Sequence, residues 1–257
     1  MKEPGTINAG ATTGASVESH APLPLLLLPG LDGTGCLLES FVRELPAWIS
    51  SRIISYPCDK RILYAELEAR VWQSLPDGGG TYALLAESFS GPVAMRLAAR
   101  RPSGLIALIL VASFARSPVP DVVRLLRPLI GSYLFWRPCP RFLMRRYLVG
   151  EDASPELIST VLAALRRVNP GVLAARLRDV LAAGAENDFA SCRVPTLYVR
   201  GTRDRLLPRS LVGELRSLRP DLECMELDAP HFVLQRQPAA AAKIVAEFSM
   251  RSQKARP

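Results

Sequence analysis

YALLAESFSGPVAMRLAARRP, Tyr82 to Pro102, opens with an apolar run of strand length, breaks at Ser88-Phe89-Ser90-Gly91 and resumes with helical spacing. A serine at such a junction sits on a tight, strained turn with its hydroxyl raised above the sheet, and the next residue's N–H faces the same space. The turn leaves little room, so the places two before and two after the nucleophile call for small side chains. Ala86 and Ser90 hold them. Taking Ser90 as the nucleophile would put Ser88 and Pro92 in those places and push the turn into the helix, so Ser88 is the better candidate. Serine is also a favoured N-cap, and the motif alone does not separate catalysis from capping.

A serine nucleophile needs a base, an acid that orients it and an oxyanion site. The chain has only two histidines, His20 and His231. His20 lies in MKEPGTINAGATTGASVESH, which has no periodic apolar pattern and reads as a flexible tail, residues 1–20. His231, in DAPHFVLQRQP, follows a predicted strand (Leu222 to Leu227) and precedes a closing helix from about Pro238 to Met250. The acid is sought in TLYVRGTRDRLLP, where an apolar run from Thr196 to Val199 meets a glycine turn carrying Asp204, with a helix expected from Pro208 or Arg209. Taken singly, His231 reads as a loop histidine, Asp204 as ordinary turn chemistry, and Arg203 and Arg205 as solvated charges. Together Ser88, Asp204 and His231 follow the order nucleophile, acid, base, each beyond a strand.

The oxyanion site is expected in LPLLLLPGLDGTGCLLESF, where the strand Leu23 to Leu28 breaks at Pro29-Gly30 and a helix resumes near Cys36. Backbone N–H groups of Leu31 and Phe89 are the assigned donors; such donors are worth about 2.7 to 4 kcal/mol each. The glycines superficially resemble a phosphate-cradling loop, but the lysine and hydroxyl of that pattern are missing and the spacing departs from the dinucleotide fingerprint.

These four segments, with LLPGLDGTG, LLAESFSGP, RGTRD and APH in that order, resemble the α/β-hydrolase superfamily, and the likeness runs from about Leu23 to Phe248. Their wording is similar to a bacterial branch of hydrolases and, more distantly, to plant esterases and acyltransferases acting on lipid esters. The resemblance implies a serine hydrolase with a mostly parallel sheet and an inserted cap. Ala86 and Ser90 depart from the elbow glycines, and Pro29 stands where many relatives carry histidine.

Composition agrees with an enzyme of one domain. The chain has 257 residues and 49% hydrophobic content, enough for one sizeable core. A formal charge of +8 comes mostly from dispersed arginines, with lysine only at positions 2, 60, 243 and 254; without a basic tract or recognised motif, nucleic acid is not the expected partner. Five cysteines without C-x-x-C spacing argue against a disulfide framework or zinc site, so a reducing, cytoplasmic setting is expected. No transmembrane helix is apparent and the leucine run at 25–28 is too short and too proline-bounded for the apolar part of a signal peptide, so no integral membrane association is expected.

Apolar runs near Leu23–Leu28, Arg52–Tyr56, Tyr82–Ala86, Leu105–Val111, Thr196–Val199 and Leu222–Leu227 alternate with helical patterns, predicting an α/β fold of about six mostly parallel strands. Residues 21–115 and 190–250 form the expected core, and 116–189 a helical cap. In that insertion Leu126, Leu129, Ile130, Leu134, Phe135, Trp136 and Phe142 alternate with arginines and prolines. They either line an acyl pocket or touch lipid, or else pack the cap onto the core, the commoner fate of such stripes. The expected activity is cleavage of a small acyl or lipid-like carboxylic ester with no cofactor or metal. Transfer of the acyl group to an alcohol and a non-catalytic scaffold binding a hydrophobic ligand are the alternatives, and the oligomeric state stays open.

Overall fold

A computed structural model of the chain describes residues 21–76 and 79–255; the expected tail 1–20, with His20, lies outside the described residues. Strands β1 (Leu23–Leu28), β2 (Ile49–Ile53), β3 (Tyr82–Glu87), β4 (Leu105–Val111), β5 (Thr196–Gly201) and β6 (Glu223–Leu227) form one sheet. Their order is β2-β1-β3-β4-β5-β6 and every neighbouring pair is parallel. β3 buries all six residues and β1 and β4 nearly all of theirs, the mark of strands covered on both faces. The chain steps out from β1 to β2, then back past β1 to β3. The order reverses there, so the carboxyl ends of β1 and β3 open the crevice where ligands of such sheets collect.

β2 begins three residues before the expected Arg52–Tyr56. Leu23 pairs with Ile49 at its start, and Ser50, Ser51 and Arg52 lie on an edge strand whose polar residues face outward, so the apolar pattern misplaces it. Pairing continues beyond the strand through the Ile54 N–H to the Leu27 carbonyl (2.9 Å). Helices α1 (Glu39–Arg43), α2 (Tyr64–Gln73) and α3 (Gly91–Ala99) follow β1, β2 and β3.

Between β4 and β5 lie α4 (Asp121–Arg124), α5 (Arg141–Leu143), a π-helical turn (Met144–Val149), α6 (Pro155–Arg166), α7 (Pro170–Leu181) and α8 (Glu186–Ser191). Ser154 and Asn169 cap α6 and α7 with their side chains, and proline follows each cap, which favours helix initiation there. Phe189 of α8 joins the main core. Beyond β5 come α9 (Leu211–Leu218), α10 (Val233–Arg236) and α11 (Pro238–Lys254).

Of the apolar residues expected to pack the insertion onto the core, Ile130 and Phe135 are the ones that pack, but within the insertion, against Ala174, Leu181, Val168 and Val172, in clusters separate from the main core. Leu126, Leu129, Leu134, Trp136 and Phe142 do not; each is more than half exposed. Prolines 128, 138 and 140 break the backbone into turns too short to present one continuous face, and the packing expectation is corrected for these five.

Candidate active site

Ser88 directly follows the fully buried β3 and starts a 3-10 turn with φ of 46°, a conformation an L-residue holds only when its surroundings impose it. Several contacts do so. The Ser113 hydroxyl donates to the Ser88 carbonyl (2.7 Å), and Gly91 lies so close to Ser113 that a Cβ would overlap its hydroxyl. Phe89 is held by the Tyr64 hydroxyl, which donates to its carbonyl (2.9 Å), and by stacking on the Tyr64 ring. Ser90 occupies ordinary right-handed backbone, φ −82° and ψ −8°, so glycine is not required there. Its hydroxyl bonds the Pro29 carbonyl and the Tyr56 hydroxyl, tying the elbow to the loop after β1.

His231 Nε2 lies 2.9 Å from Ser88 Oγ, and His231 Nδ1 lies 2.8 Å from Asp204 Oδ2. Both the imidazole and the carboxylate are about 95% buried, while Ser88 keeps partial access to solvent. Burial opposes ionisation of Asp204, but hydrogen bonds from His231, Leu207 and Leu206 outweigh it and hold the carboxyl below its ordinary pKa. The Leu206 and Leu207 N–H groups donate to Oδ1 (2.8 and 3.0 Å), leaving Oδ2 for the imidazole.

The two loops that carry Asp204 and His231 are locked together. Arg203 and Thr202 donate backbone N–H groups to Ala229 and Leu227 (3.0 and 2.9 Å), and a Cβ on Gly201 would overlap the Ala229 and Pro230 carbonyls. Arg203 is more than a solvated charge: its guanidinium bonds Asp228 (2.7 Å) and Asp152 (3.4 Å). Phe232 donates its N–H to Leu148 of the insertion (3.0 Å).

The loop after β1 turns tightly, with the Gly33 N–H on the Gly30 carbonyl (3.0 Å). The Leu31 N–H has no hydrogen-bond partner among the described residues and stays available as a donor. The loop is fixed from the insertion by Arg176 of α7, only 1% exposed. Its guanidinium donates to the carbonyls of Leu31 (2.9 Å), Asp32 (2.6 Å) and Pro57 (2.9 Å), and presses where a Cβ of Gly33 would stand. Glu87, just before Ser88, is buried beside Gly30 and accepts from Gln235 (2.9 Å); burial pushes its carboxyl up to about 7.

Sequence reasoning placed Ser88, Asp204, His231, Leu31 and Phe89 at this end of the sheet. It passed over Arg176, Glu87, Gln235 and Ser113. A glutamate inside an otherwise apolar buried strand is a readable signal for Glu87; Arg176, in the amphipathic run VLAARLRDVL, carries none.

Among curated proteins, the chain is 28% identical over 178 residues to pimeloyl-[acyl-carrier protein] methyl ester esterase of Yersinia enterocolitica, spanning 65% of this chain and 69% of that one. Its fold is shared with the enol-lactonase from Burkholderia xenovorans LB400 (TM-score 0.75, 17% identity, 91% and 93% of the two chains covered). It is shared too with MenH from S. aureus (TM-score 0.74, 15% identity, 92% and 96% covered). The model of the alpha/beta hydrolase family matches residues 25–244, and with the sheet order and strand-end loops described above, the chain belongs to that family.

Proposed function

We propose that the protein hydrolyses carboxylic esters through an acyl-enzyme on Ser88. The observation that carries this reading is the continuous relay from Ser88 Oγ through the His231 ring to Asp204, at 2.9 and 2.8 Å. His231 Nε2 takes the Ser88 proton as Oγ attacks the ester carbonyl, and Asp204 holds the tautomer with Nδ1 protonated and stabilises the imidazolium. The Leu31 and Phe89 N–H groups receive the oxyanion. His231 then protonates the leaving alcohol; water, activated by the same imidazole, attacks the acyl carbonyl and restores Ser88. The named activity of the curated relative, a methyl ester esterase, supports an ester as the substrate class.

Residues 116–189 act in this reading as the cap over a core of 21–115 and 190–250, with Arg176 and Leu148 linking it to the catalytic loops. The five unpaired thiols support a reducing compartment. The test is Ser88→Ala with p-nitrophenyl butyrate: hydrolysis should fall by at least roughly 10³-fold with an unchanged circular dichroism spectrum. A fluorophosphonate probe should label wild type and not the variant; an alanine variant as active as wild type would remove the proposal.

A further inference from the structure

The stretch from Asp121 to Tyr147 is anchored yet uncovered. Ile130, Phe135 and Met144 fasten it to the apolar clusters below, while Leu125, Leu126, Leu129, Leu134, Trp136 and Phe142 project into solvent, between 51% and 77% exposed. Most of the large exposed apolar side chains of the described residues fall in this one stretch. A monomer in water rarely leaves such a concentration uncovered unless it meets an apolar phase or partner.

The charge on the same stretch indicates which. It carries Arg124, Arg127, Arg137, Arg141, Arg145 and Arg146 against one acid, Asp121. Arg124 is engaged with Asp121 and the Leu181 carbonyl, and Arg145 with the Glu151 carbonyl. Arg127, Arg137, Arg141 and Arg146 make no ion pair among the described residues.

We infer that Asp121–Tyr147 docks on a lipid surface bearing anionic phosphate headgroups, its apolar tips entering the acyl boundary and its guanidinium groups bonding lipid phosphates. The apolar side chains project from several short turns rather than along one helix, so a fluid bilayer accepts them where a folded partner would need a matching set of pockets. Arginine suits this role because its stem tolerates apolar surroundings while its planar head binds phosphate oxygens. Among the described residues no single helix is long and apolar enough to cross a membrane. Arg145 and Arg146 also line a cavity of about 370 Å³ with Asp204 and Pro230, so the docked face borders the candidate active site.

Flotation of the full chain tests this independently of catalysis. Vesicles of phosphatidylcholine and phosphatidylglycerol in equal parts should bind at least about ten-fold more protein than phosphatidylcholine alone, and salt should weaken the binding. Leu125→Ser/Trp136→Ser and Arg137→Gln/Arg141→Gln should each lower binding several-fold while the thermal midpoint stays put. Binding absent from both vesicle types, equal for both, or untouched by either pair of substitutions at unchanged thermal midpoint overturns the inference. So does light scattering that shows a dimer dispersed by Leu125→Ser/Trp136→Ser with no vesicle binding.

Discussion

The loop RGTRDRLLPRS after β5 and the stretch VVRLLRPLIGSYLFWRPCPR in the insertion are built from much the same residues, chiefly arginine, leucine and proline. Their fates differ. In the first, Arg203 finds Asp228 and Asp152, Asp204 is enclosed by two backbone N–H groups and an imidazole, and Gly201 lets the neighbouring loop lie directly on it. In the second, Arg127, Arg137 and Arg141 make no ion pair among the described residues and the largest side chains stay in solvent. Composition does not distinguish the two; the acids and carbonyls presented by facing elements do.

The sharpest way to break the contrast is to spoil the enclosed loop. Asp204→Asn keeps the shape but removes the charge that fixes the imidazole tautomer, and kcat should fall roughly 10⁴-fold; a fall under ten-fold would show that Asp204 does not orient His231. Gly201→Ala forces a methyl group onto the Ala229 and Pro230 carbonyls and should cost about 2–4 kcal/mol in urea unfolding. Glu87→Gln sharpens the comparison through pH. Since burial raises the Glu87 carboxyl from its ordinary 4.5 to about 7, the native state keeps a proton that the unfolded chain has released between those values. The contribution of Glu87 to stability is therefore full below about 4.5, declines as pH rises and is lost above about 7. The glutamine variant should gain on wild type by on the order of 2 kcal/mol between pH 5 and pH 8, read from paired melting curves; parallel curves would refute it. At the other extreme, Trp136→Ser in the exposed stretch should change unfolding free energy by less than about 0.5 kcal/mol. A loss well above that in a urea titration would mean the indole packs inside the molecule.

The same contrast explains what could be read beforehand. β3 and β4 are buried on both faces, so uninterrupted apolar runs mark them, and Ser88 is conspicuous because it comes just after one. Having only two histidines made His231 easy to single out, and Asp204 follows from its place after a strand. β2 slipped because an edge strand with Ser50, Ser51 and Arg52 carries half the apolar signal. Arg176 was illegible for another reason: its partners are main-chain carbonyls of Leu31, Asp32 and Pro57, which any residue type would supply. The exposure of Trp136 and Phe142 was illegible too, because a leucine-rich run reads alike whether or not something covers it.

Arg176 also limits the modularity of the architecture. An insertion hung from two strand ends would ordinarily be free to shrink, grow or be exchanged among descendants without disturbing the scaffold. Here the buried guanidinium is the sole cation serving those three carbonyls among the described residues, so excising the insertion would remove the one donor that ties them together and loosen the Leu31 turn. Any graft of a foreign cap onto this chain has to bring its own donor to that spot.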